Sequence, residues 1–144
     1  MSNASLTAVL RLVQVEAALQ AQFAGALASL HGLALNELML LMYLQDAPLG
    51  RMRRVDLAAA LAMSQSSVTR MAMPLEKIGM VARDSDPRDG RVAYVVLTKA
   101  GRECAGNAKI TLAELSANVF AGKFSTAEVR TLATLLGKLT FLRS

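Results

Sequence analysis

One cysteine, one histidine, no tryptophan and three prolines in 144 residues exclude several kinds of protein at once. A single Cys rules out a disulfide framework. One Cys with one His falls short of the three or four protein ligands of a usual zinc site. The carboxylates are scattered and there is no glycine-rich phosphate loop, so no nucleophile, base and oxyanion set emerges, and the chain does not read as an enzyme or a cofactor carrier. Aromatic residues make up only 4%, so the core must be built from Leu, Ala, Val and Met, which favours helices over a β-sandwich. With 53% hydrophobic and 19% charged residues the chain is not intrinsically disordered, and its length suits one domain.

Charge is missing altogether from Ala17 to Asn36, a stretch long enough to span a bilayer. Gln20, Gln22, Ser29, His31 and Gly32 interrupt it, however, and many of its apolar residues are alanines, so it would insert poorly. The N-terminus also lacks the basic start and compact apolar run of a secretory signal, and Met1 to Ala4 leave open whether that end is native or a cloning remnant. The expectation is a reduced, cytoplasmic protein with no membrane partner.

The net charge of +5 is concentrated. Between Pro48 and Arg102 lie ten Lys and Arg residues against five Asp and Glu, whereas the remainder of the chain balances six against six. The whole excess therefore sits in the middle third, flanked by neutral segments. This is the footprint expected of a polyanion-binding face, or of a solvated surface that keeps the protein soluble.

Periodicity divides the chain into helices around one short β unit. Leu6, Val9, Leu10, Val13, Ala17 and Leu27 predict a helix over Leu6 to Leu30, with Arg11 and Glu16 as its only charges. A helix so apolar needs burial on more than one side. Asn36 is a candidate cap for a second helix reaching about Asp46, stopped by Pro48. Arg54 to Ala62 reads as a short helix, and Ser64-Gln65-Ser66-Ser67 as the capped start of another that runs to Gly79. Met80 to Asp84 and Arg91 to Leu97 are strand candidates joined by Ser85-Asp86-Pro87-Arg88-Asp89-Gly90, which is dense turn chemistry and predicts a hairpin. Thr98 caps a long helix over about Lys99 to Ala121, and Ser125 caps a last one with Val129, Leu132, Leu135, Leu136 and Leu139 in a stripe.

Helix, tight turn, capped helix and hairpin in that order describe a winged helix-turn-helix, mainly α with a small β-hairpin wing. A step of about 100° per residue places Val68, Met71, Leu75 and Ile78 on one arc of the capped helix, and Ser66, Thr69, Arg70, Met73 and Lys77 opposite. Small hydroxyls followed by a basic side chain suit a helix entering a major groove. Arg70 is the candidate for guanine, because Arg alone presents two parallel donors to O6 and N7. Two features work against an ideal unit. Ala62 stands where such turns often need a positive φ, at about 1 kcal/mol for a residue with Cβ, and Pro74 predicts a bend between Arg70 and itself.

Leu57-Ala58-Ala59-Ala60-Leu61-Ala62-Met63-Ser64-Gln65-Ser66-Ser67-Val68-Thr69-Arg70 resembles the helix-turn-helix of the MarR family of transcriptional regulators. Leu75-Glu76-Lys77-Ile78-Gly79-Met80-Val81 resembles that family's exit into the wing. Asp86-Pro87-Arg88-Asp89-Gly90-Arg91 and Leu97-Thr98-Lys99-Ala100-Gly101 resemble its wing and the start of its next helix. The match covers about residues 54–101.

The resemblance implies DNA-binding residues Ser64, Gln65, Ser66, Ser67, Thr69, Arg70, Arg88, Asp89 and Arg91, with Arg91 entering the minor groove and Asp89 holding the wing. It also implies a homodimer joined by the terminal helices, so that 1–47 and 99–144 form a helical dimerisation region and 48–98 the DNA-binding region. The expected partner is double-stranded DNA at a pseudo-palindromic site, and the expected role is that of a repressor. A small aromatic effector is a further expected partner; Met39, Met42, Tyr43, Met52 and His31 are candidates to lie near it, although Met and Tyr at helical spacing also fit a core. Cys104 has no feature marking it as a redox sensor. The competing reading is a winged-helix protein-interaction module that does not bind DNA, which would not need Arg70 or Arg91 exposed.

Overall fold

A computed structural model describes residues 3–140; the expectations about Met1 and Ser2 lie outside them, as does Arg143 of the charge count. In chain order the elements are α1 (Ala4–His31), α2 (Leu35–Asp46), a 3₁₀ turn at Pro48–Gly50, β1 (Arg51–Arg53), α3 (Arg54–Leu61), α4 (Gln65–Lys77), β2 (Val81–Ser85), β3 (Ala93–Leu97), α5 (Lys99–Phe120) and α6 (Thr126–Thr140). This is the predicted winged helix-turn-helix between terminal helices.

The core is aliphatic, as the composition requires. Leu38, Leu40, Leu41 and Leu44 are all buried, so α2 is enclosed on most of its circumference and acts as the central post. Phe23 and Leu27 of α1, Leu57 of α3, Val68 and Leu75 of α4, Val95 and Leu97 of β3, and Ala105 and Ala108 of α5 join it in one cluster. Removing this much aliphatic surface from water is the main term holding the winged unit to α1 and α5.

The uncharged stretch from Ala17 to Asn36 is not one helix. Gly32 ends α1 in the left-handed region (φ 68°), and α2 leaves at 70° to α1. Among the described residues no single helix is long and apolar enough to cross a membrane.

Three local readings are corrected. Asn36 does not cap α2: the cap is Ala34, whose N–H donates to the Glu37 carboxylate at 2.8 Å, while Asn36 lies inside the helix and accepts from Gln20 at 3.5 Å. Arg51–Arg53 is a third strand, paired antiparallel to β3 with Met52 opposite Val95, giving the order β1-β3-β2. Its Arg-Met-Arg sequence carries no β-branched signal, so only the exposed edge of β3 specifies it. Ile78 is not part of the buried arc; the helix has ended at Lys77 and Ile78 is 60% exposed. Pro74 lies inside α4, which runs unbroken from Gln65 to Lys77.

The junction between wing and α5 is tight. Thr98 caps α5 by accepting from Gly101 N–H at 3.0 Å, and its hydroxyl lies against the carbonyls of Gly79 (2.6 Å) and Met80 (3.0 Å). A Cβ on Gly101 would run into the Met80 carbonyl and stand 2.8 Å from Leu97 Cδ1. The Leu-Thr-Lys-Ala-Gly run thus has a steric meaning: only glycine lets the first turn of α5 pass the root of the wing.

Candidate nucleic-acid interface

The turn between α3 and α4 is built on Ala62 at φ 58°, ψ 41°. Ser64 then starts α4 with extended backbone, its Oγ accepting from Ser67 N–H at 3.1 Å. Its hydroxyl donates to Ser67 Oγ at 2.9 Å, and Arg70 Nη2 donates to the same Ser67 oxygen at 3.2 Å. Ser64, Ser67 and Arg70 therefore form a short chain that steadies the Arg70 guanidinium, which is exposed and uses one of its five N–H donors. Gln65 and Ser66 are exposed beside it. Val68 and Leu75 are fully buried on the opposite side, so the predicted division of the helix into two faces is real.

Thr69 is half-buried and engaged twice. Its hydroxyl donates to the Gln65 carbonyl at 3.0 Å and accepts from Arg54 Nη1 at 3.2 Å.

The wing is organised by two aspartates. Asp86 Oδ1 accepts from the backbone N–H of Arg88 (2.7 Å) and of Asp89 (3.3 Å), closing the turn. Asp89 accepts Arg91 N–H and Arg91 Nε on Oδ1 and Arg91 Nη2 on Oδ2. The Arg91 bonds hold the Asp89 carboxyl below its ordinary range. The Arg91 side chain is nevertheless 91% exposed: it is tethered at one edge and open at the other. Arg88 is exposed at the tip.

The acids of the middle third explain what their number alone does not. Asp56 is bound to Arg53 (2.8 Å), Glu76 to Arg83 (3.2 Å), Asp84 to Arg51 (3.3 Å) and Asp89 to Arg91 (3.0 Å), while Asp86 closes the turn. Exposed pairs of this kind add little stability. Their effect is to use up the local negative charge internally, leaving Arg54, Arg70, Lys77, Arg88, Lys99 and Arg102 without an acidic partner among the described residues. Of these, Arg70 lies on the first turns of α4 and Arg88 on the wing, while Arg54 opens α3, Lys77 ends α4, and Lys99 and Arg102 lie at the start of α5.

The predicted residues fall into two groups, Ser64 to Arg70 on α4 and Arg88 to Arg91 on the wing. Gln65 and Arg91 meet across a cleft of about 160 Å³, which Arg53 and Arg54 also line. Neither Arg53 nor Arg54 was singled out from sequence. Both were counted as cations, and no motif ties residue 54 to residue 69.

A second cleft, of about 510 Å³, opens between α2 and β1 and is lined by Tyr43, Asp46, Pro48, Arg51, Met52 and Tyr94, with the Arg51 guanidinium 4.1 Å from the Tyr94 ring centre. Met39 and Met42 line an adjoining recess with Tyr43. His31 is not in either lining: it sits at the end of α1 with Nε2 2.7 Å from Thr111 Oγ1 on α5. Cys104 is half-buried near the same helix end, and burial raises its thiol pKa.

Comparison with known proteins agrees with this architecture. Residues 33–93 match the model of the MarR family. A MarR-family transcriptional regulator from Rhodococcus sp. RHA1 is similar with a TM-score of 0.86 at 22% identity, covering 95% of this chain and 94% of that one. Sco3205, a MarR-family regulator from Streptomyces coelicolor solved in complex with DNA, gives 0.84 at 19% identity, covering 96% and 87%. CouR from Rhodococcus jostii RHA1, solved bound to p-coumaroyl-CoA, gives 0.79 at 23% identity, covering 91% and 90%. No curated protein sequence matches the chain.

Proposed function

Starting from a chain whose residues 33–93 are a MarR-family domain, we propose that the protein is a dimeric DNA-binding transcriptional regulator of the cytoplasm, a repressor that occludes a promoter. The observation that carries this reading is the charge arrangement: the acids of the middle third are engaged internally, and unopposed arginines face outward from α4 and the wing. Arg70, steadied by Ser67, reads a base edge in the major groove from the first turns of α4, where Ser64, Gln65, Ser66 and Thr69 share the approach. Arg91, aimed by Asp89 and accompanied by Arg88, enters the adjacent minor groove, whose negative potential favours a guanidinium.

Dimerisation supplies the second half-site. Leu6, Val9, Leu10 and Val13 of α1 are 54–61% exposed in the isolated chain, and Leu135 and Leu139 of α6 are 51% and 48% exposed. Apolar surface on both ends of the chain supports a two-fold pairing through 1–47 and 99–144, with the two α4 helices about one DNA turn apart. Release is assigned to the cleft between α2 and β1, where two tyrosines and Met52 suit a small aromatic effector at the joint between helical and winged regions.

Selection of duplexes from a random pool tests the reading, because it returns site and symmetry together. Arg70→Ala should cost about 1–3 kcal/mol and relax preference at one base pair per half-site. A chain that selects no duplex at low salt would instead be the protein-interaction module.

A further inference from the structure

The cleft between the start of α4 and the root of the wing holds one cation, Arg54, that the groove contacts do not use. Three arginines line it, Arg53, Arg54 and Arg91. Arg53 is neutralised by a two-point bond to Asp56 at 2.8 and 3.2 Å, and Arg91 by Asp89. Arg54 has no acid. Among the described residues its one side-chain hydrogen bond is from Nη1 to the Thr69 hydroxyl, and its Nε is buried without a partner. A half-buried cation left one charge short beside two neutral pairs is an arrangement that a monoanion completes.

We propose that Arg54 clamps one phosphodiester of the DNA backbone in this cleft, and through Thr69 ties that phosphate to the recognition helix. The inference rests on the DNA-binding reading and adds a residue and a place to it. The place follows from the geometry. With α4 in the major groove and the wing in the minor groove, the strand between those grooves crosses the gap between Gln65 and Arg91, and this cleft is that gap. The charge also matches: a backbone diester carries one negative charge, equal to the one unopposed positive charge present. Arg54 is thus a positioning residue. It sets the register of α4 on the strand, while Arg70 reads sequence.

The test measures binding to the duplex that the wild-type protein selects, across a salt series. Arg54→Gln should bind about tenfold more weakly, and the slope of log affinity against log salt should drop by about 0.9 for each cleft engaged. Arg54→Lys should keep the slope and recover only part of the affinity, since Lys returns the charge without the fork that reaches both Thr69 and phosphate. A second measurement starts from the wild type and changes the DNA instead. Duplexes with one neutral methylphosphonate linkage are scanned against the wild type. The linkage between the two grooves should cost about tenfold, and the same linkage should cost Arg54→Gln nothing, because the partner is already gone. Unchanged slope and affinity for Arg54→Gln, or equal losses for wild type and variant at that linkage, overturn the clamp. If Arg91→Ala still weakens binding in that case, the DNA-binding reading stands and only the clamp falls; if the wild type selects no duplex, both fall.

Discussion

Asp89 grips Arg91 three times within two residues, through its main-chain N–H and Nε at 3.0 Å each and Nη2 at 3.2 Å. An exposed pair this local contributes little to folding. What it does is restrict the arginine to one direction before any partner arrives, reducing the ordering cost of binding.

Asp89→Ala should therefore weaken DNA binding several-fold while leaving the melting temperature almost unchanged, and Arg91→Ala should weaken it further. The pH dependence has a definite sign. The Asp89 pKa is depressed below the ordinary carboxylate range by its bonds to Arg91, so the tether persists at neutral pH and is lost only as pH falls through the lowered pKa. Fluorescence anisotropy with a labelled duplex between pH 5 and 8 should show no transition attributable to this pair.

Ala62 sits at φ 58°. Ala62→Gly should relieve the Cβ strain and stabilise the protein by about 0.5–1 kcal/mol, net of the added freedom of the unfolded chain. Urea denaturation should show a higher midpoint at unchanged slope; a lower midpoint would mean that the strain is smaller than the added freedom of the unfolded chain.

Gly101→Ala should have the opposite outcome on a larger scale. The new methyl meets main chain at Met80 rather than a movable side chain. A loss of about 3 kcal/mol or more is expected, with poor recovery of folded protein.

Val13 is 61% exposed on α1. Val13→Glu should leave the protomer's circular dichroism intact, convert a dimer to monomer in sedimentation, and lower DNA affinity by removing the second half-site. A variant that stays dimeric would move the interface away from this face.

Cys104 should alkylate more slowly at pH 7 than a free thiol, because burial raises its pKa and reduces the thiolate. Cys104→Ser should leave DNA binding unaltered under oxidising and reducing conditions alike.

What could be read from the residues in order is what depends on neighbours in the chain. Helical spacing located α1, α4, α5 and α6 to within a few residues, because a period of 3.6 is a local property. Ser64, Thr98 and Ser125 announced helix starts because a cap bonds a donor only three residues on. The wing was legible in Asp86-Pro87-Arg88-Asp89-Gly90 for the same reason. Concentration of positive charge in the middle third needed only counting.

Tertiary structure decided the rest, since it brings together residues that no spacing rule connects. Strand β1 exists because β3 offers it an edge. His31 meets Thr111 eighty residues away rather than the cleft beside Tyr43. Which cations stay free depends on pairings as distant as Arg51 with Asp84, and the link from Arg54 to Thr69 crosses from one helix to the next. Local hydrogen bonds and periodicity are written in sequence order. The distribution of uncompensated charge is a property of distances through space, and only the folded chain sets those.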